Sequence, residues 1–275
     1  MNKREIVGYA LYQIGKFGRK EPDSLSIYFH DPTTKTFTSI LEWCKKKSYR
    51  FITLQECYAI LSGKIRQEGK VAYLSFDDGW QSNLNLIPII DKYQAPITIF
   101  VSIDPLLSGN FWWEYALADG IELRNKMKLM SYKKFVSSLE SLKKKYSLER
   151  SVLTEQELVK IASHPLVSIQ SHTMSHPILT NCDDEILSYE LNSSKAYLEN
   201  LLHHKIEAFS YPNGNFSNRE IEAVKKAGYK MAFTTEYIPI QINHTNLYRI
   251  PRMAMNTYGG YYENLSNILG IWQDI

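Results

Sequence analysis

The sequence lacks the cysteine pattern of a disulfide-stabilised domain. Its 275 residues contain three cysteines, Cys44, Cys57 and Cys182, an odd number that includes no Cys-x-x-Cys pair. Cysteines of this kind are typical of reduced, buried thiols in a reducing compartment. A disulfide framework is therefore not expected.

Long apolar runs are also missing. No stretch approaches the roughly 18 apolar residues of a membrane span. Residues 1–20 are basic at both ends around an apolar middle, but this middle is short and no small-residue cleavage site follows, so a signal peptide is not expected. The sequence predicts a cytoplasmic protein. A short amphipathic helix at residues 1–20 leaves peripheral contact with the inner face of the membrane open.

A large excess of charge of one sign is absent too. The formal net charge is +3, and the lysine clusters near residues 45–50 and 142–150 are interrupted by apolar residues at helical spacing. Such clusters are typical of solvated helix faces, so no nucleic-acid partner is expected. The 44% of hydrophobic residues is ordinary for a globular protein and argues against disorder.

Apolar strand patterns alternate with helical patterns along most of the chain, which predicts an α/β fold with a largely parallel sheet, doubly wound or closed as a barrel. Residues 104–164 are mostly helical and are predicted to form an insertion after the second core strand, within a single domain of residues 1–275. The predicted strands lie at 25–30, 71–76, 97–102, 166–172, 206–212, 229–235 and 247–251, and the predicted helices near 37–47, 82–92, 183–202 and 217–227.

Polar residues follow four of these strands. Asp77 and Asp78 come directly after strand 71–76, His172 ends strand 166–172, Pro212-Asn213-Gly214 ends a third strand, and His30 ends the first. Active-site residues of parallel α/β folds collect at the C-terminal edge of the sheet. We therefore expect these residues to share one rim.

The segment Ser-His-Thr-Met-Ser-His-Pro places His172 and His176 four residues apart. On a helical turn this spacing brings both imidazoles to one face, where a carboxylate would complete a metal site with open positions. Asp77 and Asp78 could then divide the work, one as ligand and one as base, because the cation removes their mutual repulsion. The simpler alternative is that Asp78 caps the helix beginning near Ser82.

These motifs resemble those of the polysaccharide deacetylases with a NodB homology domain, carbohydrate esterase family 4. Residues 75–79, Ser-Phe-Asp-Asp-Gly, match the first family motif, residues 172–176 match the second, His-Ser/Thr-x-x-His, and residues 176–214 fit the framework that follows. The resemblance covers roughly residues 25–251. It implies a distorted (β/α) barrel of seven to eight strands. It also implies metal-dependent hydrolysis of N-acetyl groups from an amino-sugar-containing glycan or glycoconjugate, releasing acetate.

The resemblance further implies roles for individual residues. Asp78, His172 and His176 would hold one divalent metal ion, Asp77 would be the general base, and the backbone N–H of Asn213 would stabilise the oxyanion. Zinc is the default ion, although cobalt, nickel or iron also suit these ligands.

Two residues of the common family pattern are missing. The arginine of the third motif, Arg-x-Pro-Tyr, has no counterpart in the segment Ser-Tyr-Pro-Asn at 210–213, and the late leucine-x-histidine motif is absent. The poly-N-acetylglucosamine deacetylase-like subgroup resembles this chain more closely, and it implies that His30 supplies the general acid. By the same resemblance Arg249 is the candidate for the missing charge, with Arg252 as an alternative. The alternative role of His30 is an interaction with the neighbouring Asp31.

Aromatic side chains near the motifs are candidate substrate contacts. Tyr211 lies beside the oxyanion turn and is expected to line the site. Trp112 or Trp113, in the predicted insertion, could stack on a sugar ring, and packing of the insertion against the barrel is the alternative.

Two other functions are compatible with these residues. One is a catalytically inactive carbohydrate-binding protein, and the other is a deformylase or another hydrolase of non-peptide C–N bonds on the same fold. The presence of Asp77 argues against the first, because a binding site has no need of a second carboxylate. The nature of the released product would distinguish the second.

Overall fold

The strands of this protein form one curled, parallel sheet. The computed structural model describes residues 3–18, 21–238, 240, 245–257 and 259–271. Across the sheet the order is β7-β6-β5-β4-β3-β1-β8, with β2 also paired to β3. The strands are β1 Ser24–Phe29, β2 Tyr49–Ile52, β3 Lys70–Phe76, β4 Ile97–Val101, β5 Val167–Ser171, β6 Ala208–Ser210, β7 Met231–Phe233 and β8 Met253–Ala254.

The central strands are apolar on both faces. Every residue of β1 and β4 is buried, as is every residue of β3 after Lys70. Parallel strands covered by helices require this pattern, because neither face meets water. The expected fold, a distorted barrel built from alternating strands and helices, is confirmed.

Helices surround the sheet, and several begin at a side-chain cap. Thr33, Thr53 and Asp183 each accept a hydrogen bond from the backbone N–H three residues ahead, which stabilises the first turn. Within the described residues, no helix combines the length and apolar character needed to cross a membrane. The helices are α1 Lys3–Gly18, α2 Thr34–Lys46, α3 Leu54–Leu61, α4 Ile87–Tyr93, α5 Ile103–Ser108, α6 Trp112–Asp119, α7 Ile121–Met127, α8 Tyr132–Lys145, α9 Glu155–Ala162, α10 Asp184–Leu202, α11 Asn218–Lys226 and α12 Tyr261–Ile268.

The helical segment, predicted after the second core strand, lies between β4 and β5, the fourth and fifth strands along the chain, and contains α5 to α9. Part of it has an apolar cluster of its own, in which Trp112 of α6 packs edge-on against Phe135 of α8 at 5.5 Å between ring centroids. This separate cluster belongs to α6, α7 and α8, whereas α5 and α9 pack into the main core through Ile103, Leu106, Leu158 and Ile161. The assignment of residues 1–275 to a single domain stays a prediction.

The chain between β7 and β8 crosses from one edge of the sheet to the other. Ile250 pairs in parallel with Phe233 of β7, whereas Met253 pairs with Ile27 of β1. Arg252 lies on this crossing. The predicted strand at 247–251 is wrong, because the segment forms a bridge at Ile250 and the regular strand is β8, two residues further on.

Candidate active site

Asp77 and Asp78 directly follow β3 and are both buried. Asp78 has a φ of 79°, in the left-handed region that non-glycine residues rarely adopt. The backbone therefore turns sharply between the two carboxylates and directs them to different partners. The next helix is a 3₁₀ helix, Gln81–Leu86, and it has no side-chain cap. The interpretation of Asp78 as a helix cap is wrong.

Asp78 faces the two histidines of the second motif. Its Oδ1 lies 3.5 Å from His172 Nε2 and 3.3 Å from His176 Nε2, and one ligand atom from each of the three residues lies within 4.8 Å of the others. The structure thus brings together the three predicted ligands. Two imidazoles and one carboxylate form a donor set that suits a divalent transition metal and leaves positions open.

The protonation of these side chains also fits a cation. His172 Nδ1 lies 2.7 Å from the Ser210 carbonyl oxygen, so Nδ1–H donates to it and Nε2 is the ring nitrogen left to bind a cation beside Asp78. Burial lowers the pKa of His176, which favours the neutral imidazole that a metal binds. Burial opposes ionisation of Asp78, but its contacts with His172 and His176 bring its pKa well below the usual value.

The loop that carries the histidines is not the helical turn that their spacing suggested. Thr173 and His176 have φ values of 75° and 55°, so the backbone is strained at both positions. Glu190 of α10 holds this loop, accepting hydrogen bonds from two of its backbone N–H groups at 2.8 and 2.9 Å and from the Ser175 hydroxyl at 2.6 Å. The histidine pair is therefore positioned by a buried carboxylate.

Asp77 is paired with a buried arginine. Nη1 and Nη2 of Arg252 lie 2.7 Å from Oδ1 and Oδ2 of Asp77, and the same guanidinium donates to the hydroxyls of Ser75 and Ser210. Burial alone would raise the pKa of Asp77, but the positive charge of Arg252 outweighs it and lowers the pKa below the usual value. Asp77 is thus an oriented, ionised carboxylate beside the metal-ligand cluster.

Arg249 does not supply the missing charge, and that prediction is wrong. Its Nε donates to Glu236 at 2.6 Å in an exposed ion pair at the surface. The alternative residue, Arg252, takes the position instead, because the crossing from β7 to β1 carries it into the barrel interior.

A cleft of about 550 Å³ opens above these residues. His30 lines this cleft with Asp77, and its exposed ring lies edge-on to Tyr28 at 5.5 Å between centroids. Asp31 is hydrogen-bonded to the Ser82 hydroxyl, not to His30. The residues lining the cleft are Tyr28, His30, Asp77, Asp78, Trp80, Trp112, Trp113, Arg124, Lys128, His172, His176, Asn213 and Thr235.

Asn213 reaches the cleft on a tight turn after β6. It lies in the 3₁₀ turn Pro212–Gly214 with a φ of 55°, and its backbone N–H donates to no other group in the described parts of the chain. A Cβ atom at Gly214 would approach Thr235 Oγ1 to 1.8 Å, so the turn requires glycine there. The amide of Asn213 is therefore free to donate to a ligand.

Tyr211 does not line the cleft, contrary to expectation. It is fully buried, stacks on Phe216 at 5.0 Å between centroids, and donates its hydroxyl to the Tyr248 carbonyl oxygen at 3.1 Å. Along β6 and the residue that follows it, Phe209 and Tyr211 share the face that packs on neighbouring aromatic rings, and Ser210 points the other way, toward Asp77.

The two tryptophans of α6 both reach the cleft but differ in exposure. Trp112 is almost completely buried, and its Nε1 donates to the His176 carbonyl oxygen at 3.0 Å, so it supports the histidine loop. Trp113 is half-buried, stacks on Phe111, and lies edge-on to His176 at 4.7 Å. Trp113 is the better placed of the two for contact with a sugar ring.

Several residues of the site were not predicted. Trp80 Nε1 donates to Asp78 Oδ2 at 3.1 Å, directly after the first motif. The ring of Tyr28 packs against the Arg252 guanidinium at 4.4 Å, and burial raises the pKa of this tyrosine to about 12. Strand alternation offered the missing signal, because Tyr28 precedes His30 by two positions and must share its face.

Comparison with known protein families identifies the chain. The model of the polysaccharide deacetylase family matches residues 64–232, more than half of the sequence. The chain belongs to the polysaccharide deacetylase family. The expected hydrolase activity, removal of N-acetyl groups from glycans, is confirmed with it, and the Asp78–His172–His176 cluster agrees with a metal-dependent deacetylase.

Individual relatives support this polysaccharide deacetylase assignment. YxkH of Bacillus subtilis, a provisional polysaccharide deacetylase, is 25% identical over 239 residues, which cover 84% of this chain and 70% of YxkH. The poly-β-1,6-N-acetyl-D-glucosamine N-deacetylase of Staphylococcus epidermidis is 24% identical over 244 residues, covering 87% of this chain and 71% of the relative.

Solved structures confirm the fold. The Streptococcus pyogenes deacetylase PplD, in complex with acetate, superposes with a TM-score of 0.66 at 20% identity, over 91% of this chain and 99% of PplD. IcaB from Ammonifex degensii superposes with a TM-score of 0.65 at 17% identity, over 91% of this chain and 98% of IcaB.

Proposed function

We propose that this polysaccharide deacetylase hydrolyses the N-acetyl group of a glucosamine-type sugar in a glycan or glycoconjugate, with Asp77 as general base. One observation carries the proposal: the charge of Asp77 is preserved by the buried Arg252, while the adjacent Asp78 faces His172 and His176 at the floor of the same cleft. The two neighbouring carboxylates thus have different partners. A staphylococcal relative that acts on poly-β-1,6-N-acetyl-D-glucosamine supports the choice of sugar.

The chain's own groups then account for the proton transfers. Asp77 accepts a proton from the water that attacks the acetyl carbon, and the free backbone N–H of Asn213 donates to the oxyanion that develops. Asp78, His172 and His176 would hold one divalent ion, zinc by default. When bound, this ion would supply a Lewis acid that polarises the acetyl carbonyl and acidifies water.

His30 is the proposed general acid. Cleavage of the amide bond leaves an amine that must gain a proton, and an imidazole is suited to donate one near neutral pH. His30 lines the cleft together with Asp77, and its side chain is not engaged by Asp31.

The products released from N-acetylglucosamine oligomers test this function. The zinc-loaded protein is expected to release acetate and an equal amount of free amine, and His30→Ala should lower kcat by about 10²–10⁴-fold, the usual contribution of a general acid. Formate release from N-formylated sugars without acetate release would instead indicate a deformylase. Binding without any product would indicate an inactive protein, and an undiminished kcat in His30→Ala would refute the acid assignment.

Cytoplasmic location and peripheral contact with the inner face of the membrane stay predictions of the sequence. Fractionation of cells that express the full-length protein, with and without a high-salt wash of the membranes, tests both. Recovery of the protein in the extracellular or cell-wall fraction would contradict both predictions.

A further inference from the structure

Two cations of the helical segment line the cleft next to the candidate catalytic residues. Arg124 lies in α7, and Lys128 is the first residue after this helix. Both side chains line the same cavity as Asp77. Lys128 Nζ donates to Asn213 Oδ1 at 2.6 Å, on the turn whose backbone N–H we assign to the oxyanion. The Lys128 ammonium therefore lies at the edge of the reaction centre.

Neither cation has an acidic partner within the described part of the chain. In the described parts of the chain no carboxylate lies within 4.0 Å of either, and Arg124 donates instead to the side chain of Asn125 at 2.8 Å. Both side chains are half-buried, and their spacing of four residues makes them repel one another. Burial and the nearby charge of Arg124 lower the pKa of Lys128. The free protein thus has two half-buried positive charges at the cleft with no carboxylate partner among the described residues.

The other charges of the cleft do not compensate them. Asp77 and Asp78 are the acidic residues among those that line the cavity. Asp77 is neutralised by Arg252, and Asp78 faces the two histidines. The rim at Arg124 and Lys128 is therefore left with a positive potential, which attracts an anion into the cleft.

The position of these cations on α7 has a simpler partial explanation. Basic residues near the C-terminal end of a helix interact favourably with the helix dipole. Lys126, in the same turn, shares that benefit, but it is exposed and does not line the cavity. The dipole accounts for basic residues in this turn, and it does not account for the confinement of Arg124 and Lys128 in the cleft.

We propose that Arg124 and Lys128 bind an anionic group, a phosphate or a carboxylate, that the glycan carries close to the N-acetyl sugar being hydrolysed. An arginine fork matches either group in a bidentate geometry, and a lysine adds a point charge. The inference rests on the proposed function, since it concerns the same cleft. It makes acidic glycans, which carry phosphate or uronic acid, better substrates than neutral N-acetylglucosamine polymers.

The double variant Arg124→Gln/Lys128→Gln tests this inference, with Lys126→Gln as the matched control. Glutamine keeps a donor for Asn213 Oδ1 and removes the charge. Acetate release is measured on three substrates: a neutral N-acetylglucosamine tetramer, the same tetramer bearing 6-phosphate, and a hyaluronan tetrasaccharide, which presents carboxylates. The phosphate and carboxylate arms distinguish the two sources of the anion.

For the wild type we expect a KM at least about tenfold lower on one acidic substrate than on the neutral one at low salt, because surface charge contacts are strongest there. The double variant should lose this preference, because its KM on the acidic substrate should rise by a much larger factor than any change on the neutral tetramer, and Lys126→Gln should keep the preference. Equal KM values for all three substrates in the wild type would overturn the inference. An equal rise in the KM of the double variant for neutral and acidic substrates would also overturn it, since the cations would then only support the Asn213 turn.

Binding without turnover separates this inference from the proposed function. Calorimetry with the same oligosaccharides needs no hydrolysis. Tight binding of an acidic glycan that the double variant loses, with no acetate from any substrate, would uphold the anion site and refute the deacetylase proposal. Acetate release without a preference for acidic substrates in either turnover or binding would uphold the deacetylase proposal and refute the anion site.

Discussion

Replacement of Arg252 by methionine should strongly destabilise the protein. The side chain is fully buried, and it makes two 2.7 Å contacts with the buried carboxylate of Asp77. Removing one partner of such a pair leaves an uncompensated buried charge, which costs about 3–5 kcal/mol. For a protein of this size 1 kcal/mol corresponds to about 2–4 °C in Tm, so a decrease of about 6–20 °C is expected.

A double-mutant cycle isolates the pair. Arg252→Met/Asp77→Asn removes both charges and should recover part of the lost free energy of unfolding, because a neutral buried pair has less desolvation to overcome. Arg249→Met is the matched control: its exposed ion pair with Glu236 should contribute no more than about 1 kcal/mol.

The stability lost in Arg252→Met should also depend on pH, and the direction of this dependence follows from the pKa of Asp77. In the wild type the pKa of Asp77 is lowered on folding, so the pair contributes stability above the unfolded value of about 3.9 and loses it as the pH falls through the folded value. Without Arg252 burial would raise the folded pKa of this carboxyl, and the protonated form would become the stable one. The difference in free energy of unfolding between the wild type and Arg252→Met should therefore increase from about pH 4 upward.

Urea unfolding at pH 5 and pH 8, with EDTA present throughout, measures these differences. The pairing is refuted if Arg249→Met and Arg252→Met are equally stable, or if the deficit of Arg252→Met is larger at pH 5 than at pH 8.

Other predictions concern the metal ligands, their support and the cleft. Saturation with zinc at about 100 times its Kd should add about 2.7 kcal/mol to the free energy of unfolding; calorimetric scans with and without EDTA should show this for the wild type but not for His176→Ala. Glu190→Gln should weaken zinc affinity by about 10–100-fold, as loss of a residue that supports metal ligands usually does, and an unchanged affinity in a chelator competition would exclude a positioning role. Trp113→Ala should raise KM for N-acetylglucosamine oligomers with little change in kcat, and a fall in kcat alone would argue against a sugar contact.

The contiguous motifs made the centre of the site predictable from the sequence. Asp77 and Asp78 follow one strand, and His172 and His176 follow another, so parallel strand ends and short spacings place them together whatever the details of the loop. The helical turn predicted for the histidine pair is nevertheless wrong, because a strained loop held by Glu190 brings the two imidazoles together.

Residues whose positions depend on long-range contacts were harder to predict from the sequence. Arg249 and Arg252 lie three positions apart in an irregular segment, and only the crossing from β7 to β1 decides which one enters the barrel. Strand alternation places Tyr211, which follows β6, on the face opposite Ser210, and only the long-range contact of Ser210 with Asp77 shows that the Tyr211 face points away from the cleft. The half-buried, unpaired state of Arg124 and Lys128 depends on how α7 lies against the cleft, which no local pattern encodes.

The division of labour between the adjacent aspartates is the central claim, and metal content with acetate release measured on Asp77→Asn and Asp78→Asn tests it most directly. Asp77→Asn should retain one equivalent of zinc and release no acetate, whereas Asp78→Asn should lose both, with circular dichroism confirming that each variant is folded. Loss of zinc from both variants, or acetate release by Asp77→Asn at the wild-type rate, would contradict the assignment of one carboxylate as base and the other as ligand.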